Sequence, residues 1–99
     1  MSNQTYIVLS RAGANRKLSL GSREQPYWNE HAAFIDALVD EHFILLGGPL
    51  TDEGGAMIVV LAESVEAVRE KLNDDPWYRH GILSLERIVR WEIFVDQRT

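Results

Sequence analysis

The alternation of apolar and polar residues along the chain predicts four strands and two helices. Short runs rich in β-branched and aromatic residues indicate strands, whereas apolar residues that recur every three or four positions indicate helices. The predicted strands cover residues 5–10, 43–47, 56–62 and 83–95, and the predicted helices cover residues 27–42 and 65–73. The elements therefore follow the order βαββαβ.

The predicted connections carry recognisable turn and helix-end signals. Residues 11–25 form a long loop, and Pro26 suits the first turn of the helix that follows it. Gly48-Pro49 ends the second strand, and a short acidic turn joins it to the third strand as a hairpin. Asp74-Asp75-Pro76 ends the second helix, because the residue before a proline avoids the helical region.

This order of elements predicts an α+β fold of the ferredoxin-like kind. Right-handed crossovers make strand one parallel to strand two and strand three parallel to strand four. The simplest closure is a four-stranded antiparallel sheet in the spatial order 4-1-3-2, with both helices on one face. A length of 99 residues is typical of one domain, so we expect residues 1–99 to share one core.

The sheet face without helices is also expected to be apolar. In the third strand Met57, Val59 and Leu61 alternate with other apolar residues, and in the fourth strand simple alternation places Leu85 and Ile88 on opposite faces. Two helices can cover only one face of the sheet, so a second apolar face needs a partner. We expect a homodimer through this open face, and the alternative is a monomer that tolerates an apolar patch.

Composition excludes several classes of protein. The net charge of −5 argues against a nucleic-acid partner, and the chain has no cysteine for disulfide or thiolate chemistry. No apolar run approaches the roughly 20 residues that span a membrane, and no signal-peptide pattern opens the chain. We therefore expect a cytoplasmic protein without a membrane partner. His31, His42 and His80 lack metal-ligand spacing, so neither a metal nor a cofactor is expected.

Two residues with acid/base chemistry converge by topology. The first helix begins, and the second helix ends, at the same end of the sheet, which brings His31 close to Asp75. Either residue alone is more typical of a structural role, since Asp-Pro commonly begins a turn. Together they form a candidate general acid/base, in which the carboxylate orients the imidazole and supports its protonated form.

The ordered set His31, Gly48-Pro49, Asp75-Pro76 and Gly81 resembles the signature of YCII-related proteins, also called the DGPF-type family. The resemblance extends from the first strand to about Trp91. It implies a dimeric α/β-barrel assembly, and it places the suspected active-site pair of the family on His31 and Asp75. The sequence departs from the pattern at His42, where many members carry a glycine that closes the first helix.

The resemblance and the convergence together predict a cofactor-independent enzyme that eliminates, isomerises or hydrolyses a small organic acid. His31 would move a proton, Asp75 would orient it, and Arg11 would stabilise an oxyanion or carboxylate. Arg11 belongs to a basic loop that also contains Arg16, Lys17 and Arg23, so the ligand is expected to be anionic. The other residues expected to contact it are Trp28, Gly48, Pro49 and Tyr78.

Two other functions remain open from the sequence. A non-catalytic module that binds or senses a small ligand would keep its ligand affinity without His31. A cofactor-free oxygenase or haem-linked protein is a third class, as other dimeric α/β barrels can be, although no residue pattern favours it.

Overall fold

The computed structural model describes residues 3–98 and contains a four-stranded sheet with helices on one face. The strands are β1 (Gln4–Ala12), β2 (Ile44–Leu50), β3 (Gly55–Ala62) and β4 (Leu83–Arg90), and the helices are α1 (Trp28–Asp40), α2 (Val65–Leu72) and α3 (Pro76–Arg79). A short 3₁₀ helix, Ser22–Glu24, precedes α1. Every strand pair is antiparallel and the order is β2-β3-β1-β4, so the ferredoxin-like α+β prediction is confirmed.

The core lies between the sheet and the helices. Tyr6 and Val8 of β1 face inward and meet Leu38 of α1, together with Val68 and Leu72 of α2. Each of these side chains is at most 4% exposed, and burying one apolar side chain of this size contributes roughly 1.5–3 kcal/mol. The helices are therefore held to the sheet mainly by apolar burial, which fixes where their ends lie.

The strand ends that differ most from the prediction are those of β2 and β4. β2 continues through Gly48-Pro49 to Leu50 instead of ending before them, because β2 is an edge strand on which a missing proline N–H breaks no ladder. β4 ends at Arg90 instead of residue 95. The last residue pair between the two strands is Tyr6 with Arg90, and the Trp91 N–H donates to the Thr5 carbonyl at 2.9 Å, close to the start of β1 at Gln4.

The helix ends also differ from the prediction. Pro26 lies outside α1, and Tyr27 precedes the helix in a left-handed conformation with φ of 64°. At the other end, His42 takes a φ of 63°, which reverses the chain where many relatives are expected to carry glycine. Asp75-Pro76 does follow the end of α2, but it also begins the unpredicted helix α3, since aspartate and proline suit the N-cap and the first helical position.

A bulge in β4 overturns the simple alternation predicted for that strand. Leu9 of β1 faces Arg87 and Ser10 faces Leu85, so Glu86 is an extra residue on β4. As a result Leu85 and Ile88 both pack against the core, where alternation placed them on opposite faces.

Within residues 3–98, no helix is both long and apolar enough to cross a bilayer.

Candidate functional site

Asp75 is a buried carboxylate held by the start of α3. It is 1% exposed, and its Oδ1 accepts a hydrogen bond from the Trp77 backbone N–H at 2.9 Å. Pro76 occupies the first turn of the helix, where a proline has no hydrogen bond to lose. The local Asp-Pro-Trp sequence thus positions the carboxylate without the help of a more distant side chain.

His31 contacts both oxygens of this carboxylate. Its Nδ1 lies 2.9 Å from Oδ1 and 3.0 Å from Oδ2 of Asp75. An ionised carboxylate only accepts hydrogen bonds, so Nδ1 carries the hydrogen and Nε2 of the neutral ring carries the lone pair. The imidazole side chain is 12% exposed, and because Nδ1 is bound to Asp75, Nε2 is the ring nitrogen that remains for a ligand.

Trp77 supports the histidine from the side. The rings of His31 and Trp77 stack with centroids 3.8 Å apart and planes 4° apart. The Trp77 indole N–H in turn donates to the Pro26 carbonyl at 2.9 Å. The imidazole is therefore fixed in plane by Asp75 and in tilt by Trp77. We call these three residues, His31, Asp75 and Trp77, the acid/base cluster.

The acid/base cluster borders a cavity of about 380 Å³ whose surface is mostly apolar. Its lining includes His31 and four of the five residues predicted to contact a ligand, which are Trp28, Gly48, Pro49 and Tyr78. Ile35, Ile44 and Ile58 supply much of the apolar wall. Asp75 lies behind the histidine. A cavity of this size, apolar with few polar groups, suits a small organic ligand.

Arg11, the fifth residue predicted to contact a ligand, does not line the cavity. Successive side chains of a strand point to opposite faces, so Ser10 faces the cavity and Arg11 the open face of the sheet. Arg11 is exposed and is not among the residues that line the cavity, whereas Arg16 and Arg23 are. Cationic side chains of this loop therefore lie at the cavity, but Arg11 is not one of them.

Residues 13–25, which we call the basic segment, are folded back on themselves. Gln25 is 3% exposed, and its side chain bonds the backbone of Lys17 and Leu20. At the other end the N–H groups of Gly13 and Asn15 donate to the Ile82 and Gly81 carbonyls at 2.9 and 2.8 Å. These bonds hold Arg16 at the cavity, with its side chain against the β2–β3 turn at Gly54.

Ser10 lies at the cavity, although it is not among the residues that the sequence predicts to contact a ligand. It lines the cavity, it is 3% exposed, and its hydroxyl is hydrogen-bonded to the Tyr78 hydroxyl. The available signal was its place in the inward-facing row of β1, where Tyr6 and Val8 precede it. A polar residue at a core-facing position at the end of a strand is more informative than a serine in a loop.

No group of three or more histidine, aspartate or glutamate side chains among residues 3–98 has the arrangement of a metal site. The side chains that line the cavity include an imidazole, three hydroxyls and two guanidinium groups. This set can transfer protons and bind anions.

The model of the YCII-related domain matches residues 5–92 of this chain. The chain belongs to the YCII-related family. A search of curated proteins found no match to this YCII-related chain.

A solved structure similar to this YCII-related protein is 5-chloro-2-hydroxyhydroquinone dehydrochlorinase from Burkholderia phenoliruptrix, in complex with 2,5-dihydroxybenzoquinone. The two chains are 25% identical, the match covers 88% of this chain and 93% of the other, and the TM-score is 0.66. The shared fold extends over almost the whole of both chains. A member of this fold thus binds a small oxygenated ring compound.

Proposed function

We propose that this protein is a cofactor-independent enzyme in which His31 transfers a proton to or from a small, anionic, ring-derived substrate. The observation that carries the proposal is the contact of the His31 Nδ1 with both oxygens of buried Asp75, 2.9 and 3.0 Å away, beside an apolar cavity. That contact leaves Nε2 as the proton acceptor of the site.

The chemistry follows from this tautomer. Nε2 takes a proton from a carbon next to a carbonyl, or from a hydroxyl, and the freed electron pair moves into the substrate. The electron pair then expels a leaving group in an elimination, or it returns to a proton at a different carbon in an isomerisation. Asp75 stays ionised and orients the imidazolium, as a carboxylate behind a catalytic histidine does in other proton-transfer sites.

The structural neighbour supports elimination as the first reaction to test. Its name describes a dehydrochlorination, and its bound quinone is planar and carries several oxygens. Trp28 and Ile58 line the cavity of this chain and suit a flat ring, whereas Arg16 and Arg23 suit its ionised oxygens. A chlorinated hydroxyquinol is therefore the first substrate we would use.

The decisive variant is His31→Asn, because the asparagine amide can still donate to Asp75 from the position of Nδ1 but has no group in place of Nε2. Chloride release from 5-chloro-2-hydroxyhydroquinone should fall by about 10²–10⁴-fold, the usual share of general acid/base catalysis. His31→Ala is a poorer test, since it removes a partner of a carboxylate that is 1% exposed and destabilises the fold.

Turnover by His31→Asn at the wild-type rate would show that the histidine does not move the proton. Unchanged affinity for 2,5-dihydroxybenzoquinone, together with no turnover by either protein, would favour the non-catalytic ligand-binding module instead. Melting curves of both proteins separate loss of chemistry from loss of fold.

We further propose that the protein is a homodimer through the open face of the sheet, which Ile7, Leu9, Met57, Val59 and Leu61 form by strand alternation. The support is chemical, because the helices pack on the other face and leave the other four of these side chains partly exposed around the buried Val59. Leu46, 41% exposed on neighbouring β2, pairs with Val59 and extends the apolar surface.

Light scattering on wild-type protein should give about twice the 11.3 kDa chain mass. Leu9→Glu should lower it to that of one chain, because an unpaired charge is costly to bury. Leu18→Glu is the matched control, since Leu18 is 83% exposed in the basic segment and its substitution should leave the mass unchanged. A wild-type mass of one chain would refute the dimer.

The cytoplasmic location of the protein stays a prediction.

A further inference from the structure

Ser10 and Tyr78 form a second polar group at the cavity that the proton-transfer proposal does not use. They lie 68 positions apart, on β1 and α3, and their hydroxyls are hydrogen-bonded to each other. Both residues line the cavity that His31 borders. The fold thus brings a hydroxyl pair and an imidazole to the same cavity from three different elements.

The pair has one O–H donor that the hydrogen bond between its members does not use. Two hydroxyls carry two hydrogens, and the bond between them uses one. Within residues 3–98, the structure gives each of these hydroxyls only the other as a hydrogen-bond partner. Whichever hydroxyl donates within the pair, the other keeps an O–H that can be directed at a ligand in the cavity.

The phenol of this pair remains protonated at neutral pH. Burial raises the pKa of Tyr78 above its usual 10.0, the hydrogen bond between Tyr78 and Ser10 lowers it, and the negative charge of Asp75 raises it further. A neutral phenol donates hydrogen bonds but does not take up protons. Its role is therefore complementary to that of His31, whose Nε2 accepts a proton.

We propose that the Ser10–Tyr78 pair donates a hydrogen bond to a substrate oxygen on which negative charge develops while His31 removes the proton. This inference rests on the proposed function. When a C–H bond next to a carbonyl breaks, its proton moves to Nε2 and its electron pair shifts to the carbonyl oxygen, which becomes an enolate. When a phenolic O–H bond breaks, its proton moves to Nε2 and its electron pair stays on the same oxygen, which becomes a phenolate. The spare O–H stabilises that oxygen without giving up its own proton, so Ser10 and Tyr78 remain unchanged after turnover.

The proposal also specifies the substrate class. The substrate needs an oxygen for the hydroxyl pair, an acidic proton for His31, and a second ionised group for Arg16 or Arg23 at the cavity. A hydroxylated quinone or hydroquinone carries all three on one flat ring. A simple aliphatic acid, with one carboxylate and no enolisable carbonyl, does not.

The test compares Tyr78→Phe, Ser10→Ala and the double variant, with Tyr27→Phe as the control. Tyr27 is 42% exposed, does not line the cavity, and keeps its stacking on His80 as phenylalanine. The kcat for chloride release from 5-chloro-2-hydroxyhydroquinone should fall about 100-fold in Tyr78→Phe, as for loss of one oxyanion donor. The double variant should be hardly worse than Tyr78→Phe, because both changes break one chain of hydrogen bonds.

Three further readouts separate this role from a structural one. The kcat should fall more than KM rises, the melting temperature should change little, and the Kd for 2,5-dihydroxybenzoquinone should rise in Tyr78→Phe but not in Tyr27→Phe. Wild-type kcat and Kd in Tyr78→Phe would overturn the inference while leaving His31 as the proton carrier. No binding of the quinone by wild-type protein would overturn it as well, since the substrate class would be wrong. Full activity in His31→Asn, by contrast, overturns the proposed function itself.

Discussion

The acid/base cluster and the basic segment border the same cavity but are held in opposite ways. Asp75 has two fixed partners, His31 and the backbone of Trp77, and Trp77 is bonded in turn to Pro26. In the basic segment the backbone is fixed while the cations are not, since no ion pair within residues 3–98 involves Arg16 or Arg23. This difference agrees with the proposed roles, because a proton carrier needs accurate geometry, whereas a group that binds an anion needs a charge that is not already paired.

Asp75→Asn is the change that should break the acid/base cluster most selectively. Asparagine is as good a helix N-cap as aspartate, so α3 should persist. The amide can present an N–H to Nδ1, which favours the wrong tautomer and turns the lone pair away from the cavity. We expect kcat to fall by about 100-fold, part of the share that general acid/base catalysis supplies, with little change in melting temperature.

Asp75→Ala is the matched comparison, because it removes both the orienting group and the cap. It should lower kcat as Asp75→Asn does, and in addition it should lower the free energy of unfolding by about 1 kcal/mol, as loss of an N-cap does. Equal melting temperatures for the two variants would mean that the cap contributes nothing. A wild-type kcat in Asp75→Asn would mean that the carboxylate only caps α3.

Gly13→Ala should loosen the basic segment at the point where it joins the α3 end. A Cβ on Gly13 would lie 2.1 Å from the Gly81 carbonyl oxygen, so the backbone would have to shift. We expect a loss of about 2 kcal/mol in the free energy of unfolding, a typical effect of overpacking. Gly48→Ala is the control, because its Cβ has no atom within 4 Å. Chemical denaturation that ranks Gly48→Ala as the more damaging change would contradict this account.

Part of the fold and of the candidate site could be predicted from the sequence, and part could not. The strand order and the nearness of His31 to Asp75 depend on periodicity and crossover handedness, which are visible in the residues. The bulge at Glu86, the exchange of Arg11 for Arg16, and the Ser10–Tyr78 bond depend on register and close approach between distant segments. A one-residue change of register reverses every side chain of a strand, and no local pattern reports it.

Arg16→Gln tests whether the free cation of the basic segment binds the ligand. Arg16 lines the cavity, and a hydrogen bond to a charged group is worth about 1.5–3 kcal/mol, so KM should rise about tenfold or more with little change in kcat. Lys17→Gln removes the same charge from the neighbouring residue, which is exposed and does not line the cavity. Its effect should be small and should vanish in high salt. Equal effects of the two variants would indicate long-range attraction only, and not contact.

His42→Gly should have the smallest effect on stability and activity. It tests whether a change at the end of α1 alters the acid/base cluster. His42 has a φ of 63°, a conformation that costs a side-chain-bearing residue about 1 kcal/mol and glycine almost nothing. Because glycine also gains freedom in the unfolded chain, we expect a net stabilisation of up to about 1 kcal/mol, measured by thermal and chemical denaturation. His31 lies at the far end of α1 and is held by Asp75 and Trp77, so kcat should not change. Tyr27→Gly is the contrasting variant at a second non-glycine residue with left-handed φ, and it should not stabilise the protein because the Tyr27 ring stacks on that of His80 with centroids 3.9 Å apart. A changed kcat in His42→Gly would mean that strain at the end of α1 reaches the histidine, and that the two contacts of its ring do not fix its position.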